Sequence, residues 1–212
     1  MGKTLDALLG RRSSKLSTNL EHAISRAALL KNRQQALFSF SHSDIVQLLR
    51  LGYEEQALLR VEHLIKSRNM SDTLQMIESY CHLLLQELPL IERSKECPDE
   101  IKEATASLIF ASSRIGDFPE LQHVRDFFSS KFGKEYTTQV IEFPRYLGVN
   151  DKMIEKLSRR KPSLESRMGF LKEIATKNGI PLHLDENIQQ RESKGQASHQ
   201  NRPLTRSSAT FS

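Results

Sequence analysis

The sequence predicts an all-α protein organised around two long helices folded back on one another. Three observations predict it. Apolar residues recur every three or four positions over two long stretches. Gly52, Pro98, Pro119, Gly133 and Asn178-Gly179-Ile180-Pro181 punctuate the periodic stretches. An apolar share of 38%, with 10 Phe and no Trp, suits a leucine-rich helical protein better than a β-sandwich. At 212 residues the chain is long enough for one sizeable helical domain and a tail.

From Leu16 to about Leu51 apolar residues at Leu16, Leu20, Ala23, Ala27, Leu30, Leu37, Ile45 and Leu48 form one stripe of a helix about 54 Å long at the usual rise per residue. Phe38-Ser39-Phe40-Ser41 weakens the pattern but holds no Gly or Pro, so the helix is expected to continue to Gly52, a helix-stopping glycine. The second helix is expected from Glu54 to about Glu92. Its stripe is Leu58, Val61, Ile65, Met70, Leu74, Ile77, Cys81, Leu84, Leu88 and Ile91. Two such helices joined by a tight turn must fold back antiparallel, because each has one apolar face to bury.

Shorter helices are expected to follow. Pro98 starts one, with Asp99 and Glu100 at its positive dipole end and Ile101, Thr105, Leu108 and Ser112 facing the core. Pro119 starts the next, with Leu121, Val124 and Phe128 on one side and Gly133 closing it. Asn150 caps a helix bearing Met153, Ile154 and Leu157; Ser163 caps the last, which carries Leu164, Leu171 and Ile174 and stops at Asn178-Gly179-Ile180-Pro181. The helical domain is therefore expected over 1–186. Over 187–212 Ser, Gln, Asn, Arg and Lys dominate, a composition that buries too little surface to offset its ordering entropy, so a disordered, polar, basic tail is expected.

Charge is unevenly spread. The net +5 of the whole chain is matched by +5 over residues 1–36 alone, from Lys3, Arg11, Arg12, Lys15, Arg26, Lys31 and Arg33 against Asp6 and Glu21. The tail adds +3, leaving −3 for residues 37–186. A basic leading helix on a mildly acidic body attracts anionic membrane or an acidic protein face; the competing reading is a solvated helix surface. Two cysteines, Cys81 and Cys97, are too few for a disulfide framework and fit a reducing compartment. No apolar run approaches the length of a membrane span, and no signal-peptide core is present. Met1-Gly2 opens the chain, but Asp6 stands where the myristoylation pattern needs Ser or Thr. Leu5, Leu8 and Leu9 before Arg11 and Arg12 suit either a short membrane-leaning turn or a frayed end.

A search for catalytic chemistry comes back nearly empty. The sequence holds no Gly-rich phosphate loop, no cysteine pair at zinc spacing, no His-Glu-x-x-His and no Gly-x-Ser-x-Gly. Glu62-His63 are adjacent, and adjacent helical residues point about 100° apart. Cys81 falls within the second helix's stripe, where a small core residue is the expected role. No catalytic residue, cofactor site or metal site is therefore expected, and the protein is expected not to be an enzyme.

Four stretches carry the reading further. Arg60-Val61-Glu62-His63-Leu64-Ile65 followed by Asn69-Met70 resembles the second-helix signature of the Ist-one (increased sodium tolerance) family of ESCRT-III-like proteins. Cys97-Pro98-Asp99-Glu100-Ile101-Lys102-Glu103-Ala104, running into Ser107-Leu108-Ile109-Phe110-Ala111, is similar to the family's third helix. Phe118-Pro119-Glu120-Leu121 with Lys131-Phe132-Gly133-Lys134-Glu135-Tyr136 resembles the next section, and Val149 to Ser158 with Leu171-Lys172-Glu173-Ile174-Ala175 the end of the domain. The resemblance covers roughly residues 1–185 in order. It implies an ESCRT-III-like fold, a long helical hairpin backed by shorter helices. It also implies association with charged multivesicular body proteins (ESCRT-III subunits), regulation of the vacuolar protein sorting AAA ATPase, and work in multivesicular body sorting and protein transport, on the cytoplasmic side at endosomes.

Within that resemblance, Lys15, Arg26, Lys31 and Arg33 are the candidate partner- or membrane-binding residues, and contact with anionic membrane would be peripheral. Arg60, Glu62 and His63 are the family signature, expected to fix the register of the hairpin rather than touch a ligand. Two departures stand out: Phe38 to Ser43 replaces a denser basic run, and residues 187–212 hold Leu204 as their one leucine, short of a helical motif for docking the ATPase. They favour an alternative, a partner-binding regulator that neither polymerises nor recruits the ATPase. A basic helical nucleic-acid-binding module is a further alternative, but the chain has no helix-turn-helix or RRM signature and its body is acidic, so no nucleic acid is expected.

Overall fold

A computed structural model describes residues 2–183, with side chains from Lys15 onward. Among these residues every regular element is a helix: α1 (Gly2–Arg50), α2 (Glu54–Gln86), α3 (Leu88–Arg93), α4 (Asp99–Ser112), α5 (Pro119–Phe132), α6 (Lys134–Glu142), α7 (Asp151–Lys156) and α8 (Leu164–Lys177). The polar tail expected from residue 187, and the side chains of Leu5, Leu8, Leu9, Arg11 and Arg12, lie outside the described residues.

The hairpin forms as the stripes require, with α1 and α2 packed along one another. Its turn is a Schellman motif: Tyr53 N donates to Leu48 O at 2.9 Å, Gly52 N donates to Leu49 O at 3.1 Å, and Gly52 takes a φ of 78°. Only glycine adopts that left-handed conformation without a Cβ penalty. The same pair of bonds closes α8, from Ile180 N to Ala175 O and Gly179 N to Thr176 O.

Several boundaries differ from the periodicity. The backbone of α1 begins at Gly2, ahead of Leu16, and Leu16 is fully buried. The second helix does not reach Glu92 but breaks at Glu87. Pro89 is the cause, since it lacks an N–H and its ring clashes with the carbonyl four residues back. Leu37, placed on the first stripe, is 45% exposed, and Leu49 rather than Leu48 is fully buried at the hairpin end. Leu164 is 42% exposed, and Met168 and Ala175 complete the buried face of α8. A further helix, α6, stands after Gly133 where the periodicity marks none, and it buries Thr137 and Val140 at helical spacing.

The other starts fall where the residues placed them. Asp99 and Glu100 fill the first turn of α4, and Pro119 opens α5. Asn150 accepts a hydrogen bond from Lys152 N at 3.0 Å, and Ser163 accepts one from Ser166 N at 3.1 Å. α4 is the centre of the backing layer: Ile101 and every residue from Ala104 to Ser112 are buried, because α2, α5 and α6 all pack on it. Cys81 is fully buried in the seam, and desolvation pushes its thiol up to about 12, a protonated core residue rather than a nucleophile.

The buried apolar residues separate into two clusters. The larger joins Leu16 to Ala27 of α1 and Leu74 to Leu84 of α2 with α3, α4, α5, α6 and α7. The smaller joins Ile45 and Leu49 of α1 and Ala57 to Ile65 of α2 with Met168, Leu171, Ile174 and Ala175 of α8.

Candidate partner-binding surfaces

The four basic residues picked from the leading helix meet different fates. Arg26 Nε lies 3.2 Å and 3.4 Å from the two carboxylate oxygens of Glu120, tying α1 to α5. Lys31 Nζ donates to the Glu78 carboxylate and, at 3.0 Å, to Gln75 Oε1, tying α1 to α2. Arg33 makes only a loose 3.7 Å pair with Asp117 and stays two-thirds exposed. Lys15 is exposed and forms no ion pair with a described residue. Two of the four charges are thus held by carboxylates distant in sequence, and two face solvent.

The second-helix signature is also divided. Arg60 reaches across the hairpin to Asp44 at 3.3 Å. Glu62 is held by Lys66 one turn along the same helix at 2.6 Å, and that bond keeps its carboxyl below the usual range. His63 is exposed. Other motif blocks meet through polar contacts that no spacing foretold. Tyr80 donates to Glu103 at 2.6 Å, Asn150 Nδ2 donates to the same carboxylate at 3.1 Å, and Asn150 N donates to Ser107 Oγ at 3.1 Å. This network joins α2, α4 and the start of α7.

A groove runs between the early part of α1, α3 and α5. Leu16, Leu88, Ile91 and Phe127 floor a cavity of about 440 Å³ edged by Glu92, Arg93, Lys95 and Lys131. Lys131 Nζ donates to Glu92 O at 2.9 Å and fixes one wall. On the other side of Phe127 a second, more open hollow is lined by Lys15, Asn19, His123 and Asp126, so Lys15 stands beside the groove, which itself has an apolar floor and a mixed-charge rim. A trough of this kind binds an amphipathic helix, apolar side chains down and charged ones against the rim. Nothing in the arrangement assembles a nucleophile with a base, and no group of three His, Cys, Asp or Glu among the described residues is placed to hold a metal. No helix among them is long and apolar enough to cross a membrane.

Comparison with known proteins agrees with this architecture. Residues 17–181 match the family model described as "Ist1: Regulator of Vps4 activity in the MVB pathway". The chain is 33% identical over 168 residues to an IST1-like protein of Dictyostelium discoideum, covering 79% of this chain and 45% of that protein. It is 32% identical over 181 residues to the vacuolar protein sorting-associated protein IST1 of Saccharomyces cerevisiae, covering 82% and 60% respectively. The chain thus spans about half the length of these curated relatives. A crystal structure of the S. cerevisiae Ist1 N-terminal domain in complex with a Did2 MIM motif superposes with a TM-score of 0.73 at 31% identity, over 81% of this chain and 94% of that one. By the span of the family match and by these relatives, the chain belongs to the Ist1 family.

Proposed function

We propose that this chain works by binding rather than catalysis, taking the C-terminal helical motif of a charged multivesicular body protein into the groove between α1, α3 and α5. Through such complexes it would modulate the vacuolar protein sorting AAA ATPase at endosomes. The observation that carries the reading is the apolar floor of Leu16, Leu88, Ile91 and Phe127 beneath a charged rim. It is supported by the solved relative, which was crystallised with a MIM motif. Calorimetry of the full chain against such C-terminal peptides tests it. Ser130 is exposed on the groove wall, so Ser130→Trp fills the groove without touching the core. Binding to the wild type and at least a tenfold loss in the variant are expected. No binding to any such peptide, or equal binding by the variant, would reject the groove.

Peripheral contact with anionic membrane is a second reading, favoured by the solvent-facing charges of Lys15 and Arg33. Each charge near an anionic surface contributes about 1 kcal/mol, so Lys15→Glu/Arg33→Glu should lower recovery on phosphatidylserine liposomes at least tenfold at low salt. Equal flotation of the two proteins would remove the membrane role.

A further inference from the structure

A separate hollow lies on the backing layer, sharing no lining residue with the groove above. It is bounded by the end of α4, the loop between α6 and α7, and the segment that leaves α7 toward α8. Its floor is apolar, made by Phe110, Ile154 and Leu157, and its volume is about 400 Å³, within the range of small binding sites, roughly 300–1,000 Å³. Its rim carries three arginines, Arg114, Arg159 and Arg160. All three are exposed and none forms an ion pair with a described residue.

None of these cations has a described carboxylate within ion-pair distance, and Arg114 is held by a ring instead. Arg114 lies with its guanidinium carbon 5.0 Å from the centre of the Phe110 ring, which turns its fork across the edge of the hollow. The Arg160 backbone N donates to Ser158 Oγ at 3.2 Å, a local turn that follows buried Leu157 and carries Arg159 and Arg160 on the rim. By contrast Arg26, Lys31 and Lys156 are each paired with a carboxylate of another helix. Three arginines without a described carboxylate partner line one hollow with an apolar floor, on a body whose net charge over 37–186 is −3, a concentrated exception to the surrounding field. Guanidinium forks match carboxylates in bidentate geometry, and an apolar floor adds nothing to a free anion but does hold a side chain.

We infer that this hollow is a docking site for an acidic segment of a partner protein, one that sets an apolar side chain on Phe110, Ile154 and Leu157 and its carboxylates on Arg114, Arg159 and Arg160. The chain's own tail is excluded as occupant by charge, since residues 187–212 carry +3 and would be repelled. The site is independent of the α1–α3–α5 groove, so one chain can hold two different segments at once.

The test is fluorescence anisotropy with the full chain and a fluorescein-labelled synthetic peptide of aspartate, glutamate and leucine, beside its asparagine–glutamine–leucine counterpart. Arg159 and Arg160 are exposed and outside the helices, so Arg159→Glu/Arg160→Glu should fold, as a matching thermal melt would show. Expected are binding of the acidic peptide alone, at least a tenfold loss in the double variant, and no change in Ser130→Trp. Equal binding of both peptides, retained affinity in the double variant, or loss in Ser130→Trp would each overturn the site. So would a double variant that loses flotation on phosphatidylserine vesicles while the wild type ignores the acidic peptide, which would make the ligand a membrane.

Discussion

The middle of the hairpin and its tip are built on the same two helices but held in different ways. In the middle, the seam between α1 and α2 is one wall of a core that five further helices close, and side chains such as Leu84, Leu108, Phe118 and Phe128 are fully buried there. At the tip α8 covers the hairpin through Met168, Leu171, Ile174 and Ala175, joined by Ile180 and Leu182 just after it. Between the two, residues 28–44 of α1 and 66–72 of α2 include no fully buried side chain. Polar and aromatic contacts fill that waist instead: Lys156 with Asp72 at 2.6 Å, and Arg68 over the Phe170 ring at 5.4 Å. Solvent-accessible contacts of this kind contribute little each. A rigid-looking hairpin can therefore contain two cooperative units, and the tip with α8 is the weaker one.

The largest effect should come from Leu84→Asp, which places an unpaired carboxylate in the main core at a cost of about 3 kcal/mol or more. A denaturant melt should show the whole chain destabilised; a mutant as stable as wild type would refute the seam. Leu171→Ala should cost less, about 2–4 kcal/mol from lost contacts and a cavity, and its effect should stay local. Hydrogen exchange should quicken in α8 and around residues 45–65 while α4 and α5 keep their protection; uniform quickening would merge the two units into one.

Cys81 sharpens the comparison further, because it reports the main core alone. Its thiol ionises near 12 in the fold against an ordinary 9.0. The unfolded chain therefore gives up this proton first, and between pH 9.0 and about 12 stability falls as pH rises. Cys81→Ala should flatten that alkaline loss, read as a shallower drop in melting temperature with pH. At pH 8 a thiol reagent should label half-buried Cys97 before Cys81, and Leu171→Ala should leave the slow Cys81 rate unchanged if the clusters open separately.

Much of this architecture is legible in the sequence. The stripes of Leu16, Leu20, Ala23 and Ala27 and of Leu74, Ile77, Cys81 and Leu84 predicted the seam. Gly52, Pro98, Pro119, Asn150 and Ser163 marked the turn and four helix starts, because capping and left-handed backbone are local chemistry readable from a few neighbours. Pro89 carried the same kind of signal, and the regularity of the stripe around it masked the break. Arg60 could be assigned to the hairpin from its place on α2, though not its partner Asp44.

Long-range pairing and coverage were not legible, and the reason is physical. Helical periodicity tells which face of a helix is apolar, but not how many neighbours will cover it. So Leu37 and Leu164 followed the pattern yet remain exposed among the described residues. One basic residue looks like another along a helix until folding brings a carboxylate beside it. Glu120 and Glu78 stand far along the chain from Arg26 and Lys31, and only the packing of α5 and α2 on α1 separates these structural cations from the solvent-facing Lys15 and Arg33. The division of one apolar stripe into two cores, and the gathering of Arg114, Arg159 and Arg160 on one rim, arise in the same way, from helices meeting in space rather than residues meeting in sequence.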